Sequence, residues 1–172
     1  MKIKWIETER FQDYKVPSML IAFPSCTFKC EQEAGVCCCQ NSALARAPSI
    51  DVPVQQIVDT YTNNKITSAV VMGGLEPLDA WAGLLTLIEE FRKATNDDIV
   101  IYTGYQREEK EDCVAKLQQY PNIVVKWGRY TPNGRPRWDD VLGVELASEN
   151  QYAERISNGS CTEYRQGTCQ TS

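Results

Sequence analysis

Short apolar runs alternate with longer amphipathic stretches along most of this chain, and that alternation restricts the fold more than any other feature. The runs at 19–23, 68–72, 99–102 and 123–126 are dense in Ile and Val and carry no charge before Lys126. Uninterrupted apolar strands of this kind belong to parallel sheets covered on both faces. The stretches between them have helical spacing. One helix is expected over 50–63, with Asp51 as its N-cap, Pro53 in its first turn and Ile57, Val58 and Tyr61 on one face. A second is expected behind a cap at Asp79, where Trp81, Leu84, Leu85, Ile88 and Phe91 recur at helical intervals. A third is expected over 108–119, with Cys113, Val114 and Leu117 turned inward. Pro132, Gly134 and Pro136 mark 131–139 as loop, and a short strand is expected near 144–146. From Ser157 onward the chain is rich in Ser, Thr, Gly and Gln, the composition of a fraying tail. No repeat or long linker divides the rest. The expectation is one α/β domain over 1–156, with a mainly parallel sheet, and a polar tail over 157–172.

The 172 residues suffice to bury roughly two-thirds of the chain's surface, so folding needs no disulfide staples. Lys and Arg total 18 against 23 Asp and Glu, a net charge of −5 that leaves little surplus for a phosphate-binding face. Nucleic acid is therefore not the expected partner. No apolar run approaches the roughly 20 residues that span a bilayer, and the first residues lack the apolar core of a signal peptide. A cytoplasmic protein without membrane partners is the expectation.

Eight cysteines and no histidine sharpen the reading. The missing imidazole removes Ser-His-Asp and Cys-His catalysis, His-containing zinc sites and His-ligated haem. Five of the cysteines, Cys26, Cys30, Cys37, Cys38 and Cys39, crowd one polar loop directly after the first strong strand. Loops at the C-terminal ends of parallel strands are where α/β proteins build their sites. Soft thiolates select zinc, Cu(I) or iron–sulfur clusters. Structural zinc favours paired Cys-x2-Cys knuckles, and no such pair stands apart from the 37–39 triple. A flexible loop giving three thiolates to one cluster fits better, although Cys37, Cys38 and Cys39 all stand where a third ligand would lie. Isolated cysteines are often small buried hydrophobes, a role that suits Cys113, while Cys161 and Cys169 read as exposed thiols of the tail. The run Glu108-Glu109-Lys110-Glu111-Asp112 reads as a solvated face.

Three further segments follow strands. Gly73-Gly74-Leu75-Glu76-Pro77 pairs two glycines, which let backbone approach a ligand, with a carboxylate able to accept from an ammonium group. Tyr102-Thr103-Gly104-Tyr105 and Lys126 end the next two strands. Lys126 reads equally as a ligand-facing charge and as a solvated strand end.

Taken in order, these segments resemble radical S-adenosylmethionine (SAM) enzymes. The resemblance covers roughly residues 15–155 and is nearest to the activating proteins of anaerobic ribonucleotide reductase. The family loop is Cys-x3-Cys-x2-Cys followed by Asn; here Cys26-x3-Cys30 is followed, after a longer interval, by Cys39-Gln40-Asn41. The polar pair after Cys39 aligns that residue with the family's third ligand. The Gly-Gly-Glu-Pro segment has Leu75 inserted, and Cys38 replaces the aromatic that usually precedes the third cysteine. Gly128-Arg129-Tyr130 and Ala147-Ser148-Glu149-Asn150-Gln151 resemble two further segments of the same activators.

What the resemblance implies is specific. The fold would be a partial (β/α) barrel. Cys26, Cys30 and Cys39 would hold a [4Fe–4S] cluster, with SAM on its open iron and Gly73, Gly74, Glu76, Thr103 and Lys126 around SAM. Reductive cleavage of SAM would give a 5′-deoxyadenosyl radical that installs a glycyl radical on a partner such as anaerobic ribonucleotide reductase. A flavodoxin or ferredoxin would supply the electron. The resemblance names no catalytic side chain beyond these. The competing expectations are a radical SAM enzyme acting on another protein, a peptide or a small molecule, and a non-catalytic Cys-ligated iron–sulfur or zinc module.

Overall fold

The computed structural model describes residues 1–157. Two short N-terminal strands, β1 (Lys2–Ile3) and β2 (Trp5–Arg10), precede β3 (Ser18–Ala22). The cysteine loop contains α1 (Lys29–Ala34) and runs into α2 (Ser42–Arg46), then β4 (Ile50–Asp51) and α3 (Val54–Asn63). Next come β5 (Ala69–Gly73), a 3-10 turn (Pro77–Ala80), α4 (Trp81–Ala94), β6 (Asp98–Tyr102), a second 3-10 turn (Arg107–Lys110), α5 (Glu111–Leu117) and β7 (Ile123–Trp127). The hairpin β8 (Arg137–Asp139) and β9 (Val144–Leu146) is followed by β10 (Tyr152–Arg155).

Six strands form the central sheet in the order β10-β7-β6-β5-β3-β2. β3, β5, β6 and β7 are mutually parallel, with Ala22 opposite Gly73, Met72 opposite Ile101 and Tyr102 opposite Lys126. β2 and β10 flank them antiparallel. The expected α/β architecture with a mainly parallel sheet is thus present. Alternation along each strand feeds two cores. Met19, Ile21, Val70, Met72, Ile99, Ile101, Ile123 and Val125 pack against the buried faces of α3, α4 and α5. Ala69, Val71, Val100 and Val124 turn the other way, onto Tyr14, Leu142 and Leu146. Side chains such as Leu84, Ile88 and Phe91 are wholly enclosed, each stabilising the helix–sheet layer by about 1.5–3 kcal/mol.

Several local expectations need correction. Asp51 does not cap a helix; it pairs with Lys2 in β4, and α3 begins at Val54 behind Pro53, which takes the N-cap position with extended ψ. Asp79 lies within the 3-10 turn, whose cap is Glu76, and its carboxylate bonds elsewhere. Only Val114 and Leu117 of α5 are buried, while Cys113 is half-exposed. Glu109 is not merely solvated, since it pairs with Arg129. β1, β2, β8 and β10 lacked the dense apolar signature of the inner strands: β2 reads Trp-Ile-Glu-Thr-Glu-Arg and β10 Tyr-Ala-Glu-Arg. Cys161 and Cys169 lie outside the described residues.

Candidate metal centre

The C-terminal ends of β3, β5, β6 and β7 open onto one cavity of about 320 Å³. Cys26, Cys30 and Cys39 line it, as do Gly74, Glu76, Thr103 and Lys126. Gly73 sits one step behind, at the end of β5, where its carbonyl accepts from Phe23 N at 2.8 Å. Cys37 and Cys38 are not among the lining residues. Gln40, Asn41, Gln12, Asp13, Arg129 and Gln151 complete much of the polar wall.

Two sets of contacts hold the cysteine loop. Asp79 accepts from Thr27 N at 2.8 Å and from the Tyr105 hydroxyl at 2.6 Å, tying the loop to the turn after β6. The Tyr105 ring lies under Lys29 and Lys110, whose Nζ atoms stand 4.6 and 3.9 Å from its centroid. Arg129, almost fully buried, meets Glu109 at 2.7 Å. Its Nε lies 3.2 Å from Glu33 of α1, though without hydrogen-bond alignment. The bond from Arg129 holds the Glu109 carboxyl down to about 2. Within the loop, Phe28 adopts φ +54°, and its N–H donates to the Cys26 sulfur at 3.2 Å. Cys39 N donates to Glu31 Oε1 at 3.1 Å, and the Cys38 thiol donates to the Cys30 carbonyl at 3.7 Å.

Burial pushes the Cys26 thiol up to about 11 and raises Cys30 and Cys39 as well. These groups are protonated in the metal-free protein, so metal binding must release protons. Among the described residues no group of three Cys, Asp or Glu side chains is placed to hold a single metal ion. In a cluster each thiolate would bind its own iron, so Cys26, Cys30 and Cys39 would not need to surround one ion. The donor set fits a cluster: soft sulfur ligands on one wall, with a backbone N–H aimed at one of them, a contact of the kind that tunes cluster potential.

Glu76 is the junction of the site. Its Oε1 accepts from Thr103 Oγ1 at 2.7 Å and Leu78 N at 3.1 Å, and its Oε2 from Gly104 N at 2.8 Å. Its own N–H reaches the Ser25 carbonyl just before the cysteine loop at 2.9 Å. The carboxylate thus holds the β5 and β6 turns together and keeps room for one further donor on Oε2. Burial raises its pKa despite those donors. The Gly74 turn has φ +77°, and a Cβ there would fall 2.9 Å from both Ala22 Cβ and Leu44 Cδ2, so only glycine fits.

Lys126 is 6 % exposed, which rules out the solvated strand end. Its Nζ donates to the Gly128 carbonyl at 2.8 Å, and burial pushes its pKa down to about 7. Sequence reasoning did not find Gln12, Asp13 or Asp79 as site residues. Gln12 and Asp13 precede the first strand it recognised, and nothing local marks a polar loop that the fold carries to the cavity. Asp79 was visible, but its position before a helix gave capping as the obvious role.

No curated protein and no solved structure matches the chain. A family profile does, over residues 18–141, well over half of the chain, from β3 through the cysteine loop to β8. With the thiol-lined cavity inside that span, the chain belongs to the 4Fe–4S single cluster domain family.

Proposed function

We propose that the protein is a radical SAM enzyme. One observation carries the reading: Cys26, Cys30 and Cys39 share a single cavity with Glu76, Thr103 and Lys126, each delivered by a different strand end. The matched family's association with radical SAM proteins supports it. Cys26, Cys30 and Cys39 would hold a [4Fe–4S] cluster, with SAM beside it. When bound and reduced, the cluster would supply the electron that splits SAM into methionine and a 5′-deoxyadenosyl radical.

The chain's own part is binding and orientation. The three thiols give up their protons to become ligands. The Lys126 ammonium, short of water and helped only by the charge of Glu76 without a direct ion pair, attracts an anionic group such as the SAM carboxylate, which in turn keeps it protonated. Glu76 sets the Thr103-Gly104 turn and offers its remaining Oε2 position to an ammonium. Gly74 permits the left-handed turn that carries the chain from β5 to Glu76, a turn that a side chain would block against Ala22 and Leu44. Gln12, Asp13 and Gln151 add polar groups to the wall that a bound ligand would meet.

In this reading the substrate is a protein, an anaerobic ribonucleotide reductase-like glycyl-radical enzyme, and a flavodoxin or ferredoxin is the reductant. The test is anaerobic reconstitution with iron and sulfide, reduction, addition of SAM and quantification of 5′-deoxyadenosine. Product that vanishes in Cys26→Ala and Cys30→Ala supports the reading. A filled, reducible cluster without product would overturn it in favour of a non-catalytic iron–sulfur module. Zinc in place of iron would overturn both.

A further inference from the structure

The hairpin that closes one side of the cavity has an unusual edge. β9 pairs with β8 alone, and the two form a separate two-stranded sheet. Alternate residues of an antiparallel strand turn both backbone groups away from their partner, so β9 presents N–H and C=O groups on its other side. Among the described residues, neither a backbone nor a side-chain group bonds to the main chain of 144–147 from that side. Val144, Glu145, Leu146 and Ala147 all line the cavity in succession. Outward and inward residues lining together means that the strand meets the cavity along its edge, not with one face.

Exposed edges are normally blocked, and the outer edge of the central sheet is. β2 carries Glu7, Glu9 and Arg10 and a register shift between Glu7 and Arg10. β9 has neither proline nor bulge and only one charge, Glu145. Of the chemical classes that enter a cavity, an extended polypeptide is the one whose alternating donors and acceptors match a strand edge.

We infer that the free edge of β9 docks an extended segment of a polypeptide substrate, which joins the hairpin as a third strand and runs along the wall of the thiol-lined cavity. This rests on the reading that the substrate is a polypeptide. It adds how that substrate is gripped, through main-chain hydrogen bonds that tolerate varied side chains.

The test uses the full chain, cluster-loaded and with SAM, as bait for a displayed library of random 12-residue peptides. A selected peptide is then resynthesised with single backbone N-methyl groups at successive positions. Methylation at alternate positions is expected to weaken binding at least tenfold, and at the positions between to leave it within about twofold, because only every second N–H faces β9. Hydrogen exchange on the wild-type protein should show new protection within 144–147. Failure to select a peptide, loss of affinity without a two-residue period, or protection confined to other segments would each overturn the inference. The same preparation is assayed for 5′-deoxyadenosine without peptide. Periodic binding with no SAM cleavage would sink the enzymatic reading and leave the edge intact, whereas cleavage without periodic binding would sink the edge alone.

Discussion

Lys126→Met isolates the most costly group in the cavity. Burial holds the Lys126 pKa near 7, against an ordinary value of 10.5. At about 1.4 kcal/mol per pH unit, that difference sets about 5 kcal/mol against the charged form. At pH 6 folded and unfolded chains both carry the proton, so the whole penalty opposes folding. Methionine keeps the length of the stem without the charge, and gives up the bond to the Gly128 carbonyl, worth about 1 kcal/mol. The variant should therefore be more stable than wild type by about 3–4 kcal/mol at pH 6. Above pH 7 the folded protein releases the Lys126 proton while the unfolded chain keeps it until about 10.5. Wild-type stability then rises by about 1.4 kcal/mol per pH unit, and the advantage of methionine shrinks to about 1 kcal/mol at pH 9. Urea unfolding of both proteins in the cluster-free form, anaerobic and reduced, from pH 6 to 9 measures this directly. A difference that stays constant with pH, or a variant less stable than wild type at pH 6, would refute the reasoning.

Three other outcomes are expected. Cys39→Ala should lose the cluster's visible absorbance as Cys26→Ala and Cys30→Ala do, while Cys37→Ala and Cys38→Ala keep it; a full cluster in Cys39→Ala would move the third ligand to another residue of the triple. Gly74→Ala forces a side chain into a left-handed turn and against Ala22 and Leu44, and should cost about 2–3 kcal/mol in urea unfolding, a cost whose absence would mean the turn relaxes freely. Burial would raise the Asp98 carboxyl, but the bidentate bond from Arg155 at 2.6 and 2.8 Å and the Tyr14 hydroxyl at 2.7 Å outweigh it and hold the pKa below its ordinary 3.8. That stabilisation is present above pH 4 and lost as pH falls below it, so Asp98→Asn should destabilise by about 1–2 kcal/mol at pH 7 and by progressively less in acid, read from thermal midpoints across pH.

Much of the framework was legible because its signals are local. Continuous Ile and Val runs mark strands buried on both faces, and residues 19–22, 69–72, 99–102 and 123–126 duly lie within β3, β5, β6 and β7. Helical spacing of Leu84, Ile88 and Phe91 likewise marks α4. The edge strands β2 and β10 escaped because a strand with one wet face carries too few apolar residues to stand out. β8 escaped because Pro132, Gly134 and Pro136 describe the turn leading into it better than the three residues of the strand. Asp51 and Asp79 show the same limit from the other side. Each is a good cap by local chemistry, and each is drawn away by a partner distant in sequence, Lys2 for one and Thr27 with Tyr105 for the other.

By itself, then, the sequence determined the strand–helix alternation, the soft-ligand character of the loop at 26–39 and the absence of imidazole chemistry, since each follows from which residues stand near one another along the chain. Only the tertiary structure decided that Cys39, and not Cys37 or Cys38, faces the cavity, that Lys126 is buried at the cost of much of its charge, and that Glu76 spends its carboxylate joining two turns. It alone brought Gln12, Asp13 and the edge of β9 to the same cavity. The physical reason is common to all of these. Desolvation, hydrogen-bond saturation and the direction a side chain faces depend on neighbours supplied by other strands, and those neighbours exist only once the sheet has assembled.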